Sequence, residues 1–404
     1  MQKEIIQNKS LSLSVNVSAN AVSSLRRIVE KTSTVRVYDN GFVGIAGQIG
    51  NANLNELEKS AIEKLQDQVP YPCNLTHDVQ KSVDDRKEII DVNSFVKICQ
   101  RLLKKISTAC PSFIFSNKIR YTESSVDYQN SCNTHLHYDG NAFSVSLVIK
   151  HKQSANIMDF GFSDKITKYD EDTIVNNVKL MCDTFEKNVD VEDGDYPVIT
   201  FGYDYLVDPI QHLIGEMYAN QASLLKGRLN EVVFNDKLSL LRGDAIETPF
   251  FDDEGEVINE HNAYLVKDGK FVGVLANKKI AAEYNLPRMA CSGADYDKLP
   301  GISLRGFTCK NTHENLHDII GDGKAILIVD ASGGDMTSSG DYATPIQVPF
   351  LVENGKLVGK LPPLNLTGNM MNYLNEGFMG ATENGFIQSE QTQYVVAKMH
   401  ISKI

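Results

Sequence analysis

Two histidines four apart, with a glutamate after the first, have the types and spacing of a metal-activated hydrolase. His313-Glu314-Asn315-Leu316-His317 is a formal HExxH. On a helix, the imidazoles share one face and can ligate zinc, while the glutamate polarises a bound water. The competing reading is a solvated helix start. Thr312 would be its N-cap, Leu316, Ile319 and Ile320 would face the core, and both histidines would point mostly away. The helix would last about eight residues before Gly321-Asp322-Gly323 stops it. A second pair, His212 and Glu216, falls on one side of a helix starting at Asp208-Pro209 and running to about Leu225. One histidine and one carboxylate do not complete a metal site, so an ordinary i, i+4 pair at a surface or interface is the alternative. A third set, His135, His137 and Asp139, alternates along a strand and shares one face. It offers three ligands, or a polar face opposite Leu136 and Tyr138. No GxSxG, Walker A or helix-opening GxGxxG is present.

The elements that must position these groups are mixed. Val35 to Val37, Asp39-Asn40-Gly41 and Phe42 to Ala46 predict a hairpin. Asn53 with Glu56 predicts a capped helix carrying Leu54, Leu57, Ala61 and Leu65 on one stripe, with Pro70 beyond it. Helices follow over 94–106, with Phe95, Ile98, Leu102 and Ile106, and over 171–186, with Ile174, Val178, Met181 and Phe185. Between them, strands 121–128 and 134–150 flank an Asn130–Asn133 turn. A buried strand spans Tyr196 to Val207, and from 231 the pattern becomes short strands with glycine turns. Ala325 to Val329 is a buried strand. Residues 331–341 are too polar for anything but a loop, whose three glycines could offer N–H groups to an anion or a peptide carboxylate. Asn354-Gly355 between apolar runs predicts a type I′ hairpin.

At 404 residues, the chain is long enough for two or three domains. Its net charge of −12 disfavours a nucleic-acid-binding face, which needs basic residues. The start lacks the apolar core of a signal peptide, and no run of about 18 apolar residues exists to span a membrane. Seven cysteines, none in a CxxC pair, fit reduced thiols in the cytoplasm.

Gly340-Asp341, then Glu353-Asn354-Gly355, then Thr367-Gly368-Asn369 resemble, in order, the C-terminal signature of the TldD/PmbA family, also called modulator of DNA gyrase. Phe251 to Gly255 and Ala263 to Lys270 resemble its Asp-Glu-Gly turn and following hairpin. The likeness extends from about residue 20 to 404. It implies an α+β fold with an N-terminal α/β lobe of antiparallel strands and helices and a strand-rich C-terminal lobe. The division expected is 1–110, a middle domain 111–193, and 194–404, with the acidic turn 188–195 as the join. The family contains zinc peptidases and metal-free partners, which assemble as two subunits around a peptide-binding cavity. Catalytic members carry His-Glu-x-x-x-His on the helix matching 208–225, where only His212 and Glu216 stand here. Their C-terminal cysteine ligand corresponds to Ala381. The chain therefore resembles the metal-free PmbA/TldE side. It implies no cofactor in this chain, zinc in a TldD-like partner, a homodimer or heterodimer, a peptide substrate, and no nucleic acid or membrane. Gly340, Asp341, Glu353, Asn354, Gly355, Gly368 and Asn369 become peptide-binding candidates, and the hairpin Pro349 to Leu361 a candidate interface. The alternatives are a zinc peptidase built on His313, Glu314 and His317, with or without His212, and a stand-alone homodimeric peptide-binding protein.

Overall fold

The structure is a computed structural model that describes residues 1–202 and 209–404. It is an α+β fold built on two large sheets. The first contains β1 (Gln2–Ser18), β2 (Ala21–Asp39), β3 (Phe42–Ile49), β4 (Val69–Pro70), β5 (Gln80–Asp84), β6 (Phe113–Asn130), β7 (Thr134–His151) and β8 (Phe160–Ile166). Their order is β4-β3-β2-β1-β6-β7-β5, with β8 also paired to β7. Helices α1 (Leu54–Glu63), α2 (Phe95–Ala109) and α3 (Glu171–Phe185) follow β3, β5 and β8.

The three helices begin and bury as the sequence predicts. Asn53 accepts from the Asn55 N–H at the start of α1, and Asp170 caps α3 through the Asp172 and Thr173 N–H groups. Phe95, Ile98, Leu102 and Ile106 of α2 are all buried. The strands are longer than predicted. Asn40 and Gly41 both have positive φ, so β2 and β3 do form a tight hairpin. The surprise is β1, whose seventeen residues pair with both β2 and β6. That pairing joins the stretches on either side of residue 110 into one sheet, so the division expected there does not separate two sheets.

The long strands change their buried face along their length. In β1 the buried residues include Glu4 and Ile6 at even positions, then Leu13, Val15 and Val17 at odd ones, with Ser14 also buried among them. In β7 they include Leu136 and Tyr138, then, past buried Asn141 and Ala142, Phe143, Val145, Leu147 and Ile149. Side chains alternate across a strand, so a change of parity is a change of face. The odd-numbered half packs on α2 and α3, while Ile6, Tyr128, Leu136 and Tyr138 pack on Phe251 from the C-terminal half.

The second sheet starts at β9 (Gly194–Phe201). Between β9 and the rest of that sheet lie helices α4 (Gly215–Ala219) and α5 (Lys278–Tyr284). Small strands accompany them: β10 (Leu240–Arg242), β11 (Tyr264–Lys267), β12 (Lys270–Phe271), β13 (Ser292–Gly293), β14 (Gly301–Ile302) and β15 (Phe307–Cys309). Helix α6 (Leu316–Ile320) leads into β16 (Lys324–Ala331), β17 (Asp335–Met336), β18 (Asp341–Glu353), β19 (Lys356–Lys360) and β20 (Leu364–Asn369). Helix α7 (Met370–Leu374), β21 (Phe378–Thr382) and β22 (Tyr394–Lys403) complete the chain. The order is β16-β9-β22-β20-β18, and β18 also pairs with β16, so the sheet closes into a ring. Among the described strands of this sheet, only β9 and β16 pair parallel. Ile199, Leu327, Phe350 and Val396 face the helices of the first lobe. Their neighbours Val198, Ile326, Leu351 and Val395 face the other core. Burial on both faces explains the continuous apolar runs.

Three local expectations change. The helix expected over 208–225 is interrupted: residues 209–212 are helical, and α4 starts only at Gly215. Between them Ile214 bridges to Leu275, with Leu275 N–H donating to Leu213 O and Gly215 N–H to Leu275 O. Residues Tyr203–Asp208, which include the end of the strand expected to Val207 and the expected cap Asp208, lie outside the described residues. The loop 331–341 contains β17, paired with β18 at Asp335↔Ala343 and Met336↔Tyr342. Finally, α6 is capped by Asn315, whose Oδ1 accepts from Asp318 N–H, and not by Thr312.

Candidate functional site

A cavity of about 860 Å³ lies between the lobes. The C-terminal ends of the two parallel strands reach it, through Phe201 of β9, Gly202 after it, and Val329 and Asp330 of β16. Its facing wall is β8. Gly161, Phe162, Ser163 and Asp164 all line it. Consecutive strand residues point to opposite faces; Ser146, Leu147 and Val148 of β7 and Asn117 of β6 line the cavity as well, so it reaches over the sheet beside β8 as well as along its outer edge. β8 pairs with β7 alone among the described strands, so that edge keeps unpaired main-chain N–H and C=O groups.

Local chemistry fixes this wall. Asp159, before β8, accepts from His151 N–H at 2.7 Å, Ser154 Oγ at 2.7 Å and Asn156 Nδ2 at 3.1 Å. Phe160 and Phe162 anchor β8 in the core. The loop before β22 is tied down just as firmly. Glu390 accepts from Thr167 N–H, Thr167 Oγ1 and Lys168 N–H. Ser389 Oγ donates to Asp164 Oδ1 at 2.5 Å, and Asn177 exchanges two hydrogen bonds with the Gln388 main chain. Burial raises the carboxyl of Asp164 above its ordinary value, against the pull of Ser389, and burial likewise raises Asp330.

The motif residues near the C-terminus hold one another. Asp341 stands opposite Asn369 on β18 and β20. Asn369 Nδ2 donates to Asp341 Oδ1 at 2.8 Å and to Ser339 O, and its Oδ1 accepts from Met371 N–H to cap α7. These bonds, Asn369 first and then Ser339, lower the Asp341 carboxyl. Gly340 has φ +86° and accepts the Met370 N–H, and a Cβ on Gly368 would meet the Tyr342 hydroxyl at 2.7 Å. Asn354 and Gly355 have φ of 52° and 69°, the tight turn predicted, which joins Glu353 to Lys356. None of these seven residues lines the cavity.

Neither the HExxH histidines nor the His212–Glu216 pair forms the helical arrangement their spacing suggests. His313 and Glu314 precede α6, while His317 lies within it. Thr312 is occupied by Ala381: its N–H donates to Ala381 O and its Oγ1 accepts the Ala381 N–H. His313 Nδ1 lies 2.8 Å from Thr312 Oγ1, and His317 Nε2 lies 3.4 Å from Asp322. His212 is buried, and its Nδ1 accepts the Leu224 N–H, while Glu216 is exposed on the other side of the helix break. His135, His137 and Asp139 share one face as predicted, and Asp127 lies within 2.8 Å of His135 and 3.3 Å of His137.

One polar cluster was not read from the sequence. Buried Arg36 donates to Glu4 at 2.9 Å and also pairs with Asp253. Glu4 further accepts from the Tyr38 and Tyr128 hydroxyls and lies 3.7 Å from Lys278 Nζ. Tyr71 donates to Glu254. The cluster fastens the Asp252–Gly255 turn to the first sheet. Its signal was there to find: Arg36 interrupts the apolar run Val35 to Val37.

The sequence profile of the PmbA/TldA metallopeptidase C-terminal domain matches residues 202–404, half of the chain. The chain belongs to the PmbA/TldD family. A metalloprotease of Archaeoglobus fulgidus is 20% identical to it over 404 residues, covering 93% of this chain and 91% of the relative. A zinc metalloprotease TldD homolog of Saccharolobus solfataricus is 21% identical over 294 residues, covering 68% and 65%. The crystal structure of TldE from Thermococcus kodakarensis shares the fold with a TM-score of 0.82 at 16% identity, covering 100% of this chain and 97% of that one.

Zinc, which the family implies, does not fit the residues this PmbA/TldD chain places at the corresponding positions. A closed site needs three or four N, S or O donors around the ion. Ala381 offers none and is fully buried. His212 and Glu216 stand on separate helical segments, and His212 Nδ1 already accepts a main-chain N–H. No helix among the described residues is long and apolar enough to cross a membrane.

Proposed function

We propose that this chain is the peptide-holding, metal-free subunit of a PmbA/TldD-type peptidase system in the cytoplasm, working beside a TldD-like subunit that carries the zinc. One observation carries the reading: the open edge of β8 runs along the inter-lobe cavity. An extended peptide laid there adds a strand to the first sheet. Main-chain hydrogen bonds then supply affinity independent of sequence, and alternate side chains reach the walls. Five residues of strand span about 17 Å, so a short unfolded segment suffices. Hydrolysis needs an activated water, and that step belongs to the partner. The two subunits together would enclose the peptide.

The test mixes a labelled unfolded peptide with the pure chain, then with a TldD-like subunit. Binding without cleavage is expected in the first case and cleavage in the second. The site is checked with Gly161→Phe, because a Cβ at Gly161 meets nothing nearer than Leu147 O at 3.8 Å and the ring then occupies the cavity edge. Chelator-sensitive cleavage by the pure chain, with one zinc per chain lost on His313→Ala, would instead establish an independent peptidase. A homodimer that binds peptide and ignores any TldD-like subunit would establish a stand-alone binding protein.

A further inference from the structure

The cavity walls are electrostatically one-sided. Five carboxylates line it, from Asp164, Asp244, Asp330, Glu383 and Glu390, against the single guanidinium of Arg305 among the described lining residues. They come from four separate segments: β8, the loop after β10, the end of β16, and the loop between β21 and β22, which carries both Glu383 and Glu390. None of the five is in an ion pair among the described residues, whereas Lys165, the cation of β8, is not among the lining residues and is already paired with Glu247 at 3.1 Å and bonded to Ile246 O at 3.0 Å. A low-dielectric cleft lined by one sign of charge concentrates the field inside it and raises the local concentration of the opposite charge.

We propose that the cavity selects extended peptides rich in lysine and arginine, the unpaired β8 edge holding their main chain and the wall carboxylates their side chains. The proposal rests on the peptide-holding reading: β8 makes the site, and the carboxylates decide which peptides occupy it. Side chains of an added strand alternate between its two faces. Burial acts on Asp164 and Asp330 in the same direction as the field: each is a desolvated acid that a peptide ammonium or guanidinium would stabilise in its charged form.

The experiment uses the full chain and three fluorescein-labelled peptides of about seven residues, in which alanine alternates with lysine, with glutamine or with glutamate. Anisotropy at low salt is expected to rank them lysine, glutamine, glutamate, with about tenfold or more between the extremes, narrowing as salt screens the walls. The double variant Asp330→Asn/Glu383→Gln is expected to shrink the lysine-to-glutamate ratio to about threefold or less. Equal affinity for all three peptides overturns the charge selection and leaves the peptide-holding reading standing. Failure of every peptide to bind removes that reading and this inference with it. A lysine preference that the double variant leaves intact assigns the selection elsewhere on the surface and overturns the proposal.

Discussion

Replacing Arg36 by methionine tests whether the buried ionic cluster fastens the two halves of the chain. The side chains of Arg36 and Glu4 are 1% and 0% exposed. Without the guanidinium, Asp253 loses its cation, while Glu4 keeps the Tyr38 and Tyr128 hydroxyls and Lys278. Breaking a buried pair by removing one member costs about 3–5 kcal/mol, because the remaining charge stays desolvated. That is a large fraction of the roughly 5–15 kcal/mol that holds a typical protein folded. The control is Lys179→Ala, which removes a half-exposed i, i+4 pair with Asp183, worth at most about 0.5 kcal/mol. Urea unfolding followed by circular dichroism reads the difference. Hydrogen exchange across 250–258 reads whether that turn has come loose. Arg36→Met/Asp253→Asn removes both unlike charges and leaves Glu4 with Lys278, so it should recover part of the loss. An Arg36→Met midpoint indistinguishable from that of Lys179→Ala would refute the fastening role, as would a double variant whose losses simply add.

Leu102→Ala, at a fully buried position of α2, should cost about 2–5 kcal/mol in the same assay; a smaller loss would mean the helix is not seated on the sheet. Asn369→Ala should cost about 1 kcal/mol by uncapping α7. It should also raise the Asp341 carboxyl, which NMR titration can follow; an unmoved titration would refute the assigned bond. Burial, with Glu254 beside it, raises Asp252, and burial raises Asp253 to about 6. A raised carboxyl holds its proton in the fold where the unfolded chain has released it. The stability it contributes is therefore full below about pH 4 and is lost as pH rises through the folded value, about 7 for Asp252 and about 6 for Asp253. Asp252→Asn should accordingly gain on the parent as pH climbs from about 4 to about 7, and a constant difference between their urea midpoints would refute the sign.

What could be read from the sequence was local. Asn40-Gly41 and Asn354-Gly355 specify their turns because few residues tolerate positive φ, and Asn53 and the α2 stripe announce their helices in the same way. Leu11, Leu13, Val15 and Val17 alternate in plain sight, yet β1 was missed because its first third buries the opposite parity. The 208–225 helix was misread because Leu275, some sixty residues away, takes the hydrogen bonds that Leu213 and Gly215 would give a continuous helix. HExxH failed likewise: Ala381 occupies Thr312, so Asn315 becomes the cap. The cavity was the least legible feature. Its walls come from β8, β9, β16 and the loop before β22, and no window of sequence contains them together. The bond between Asp341 and Asn369 across β18 and β20 was likewise illegible, because the two residues lie 28 positions apart and only the sheet brings them together.

The closed ring has a consequence for biosynthesis. β22 is an interior strand, lying between β9 and β20, and its Tyr394 stands opposite Phe201 of β9. During synthesis at about 5–20 residues per second, β9 therefore waits roughly 10–40 s for its permanent neighbour to leave the ribosome. Through that interval β9 shows a bare, apolar edge to every other nascent chain, and β20 joins it only in the last few seconds, roughly 2–6 s before β22 is made. A ribosome that stalls before residue 394 releases a product whose first sheet is complete and whose ring is open, an association-prone species rather than a merely shortened protein.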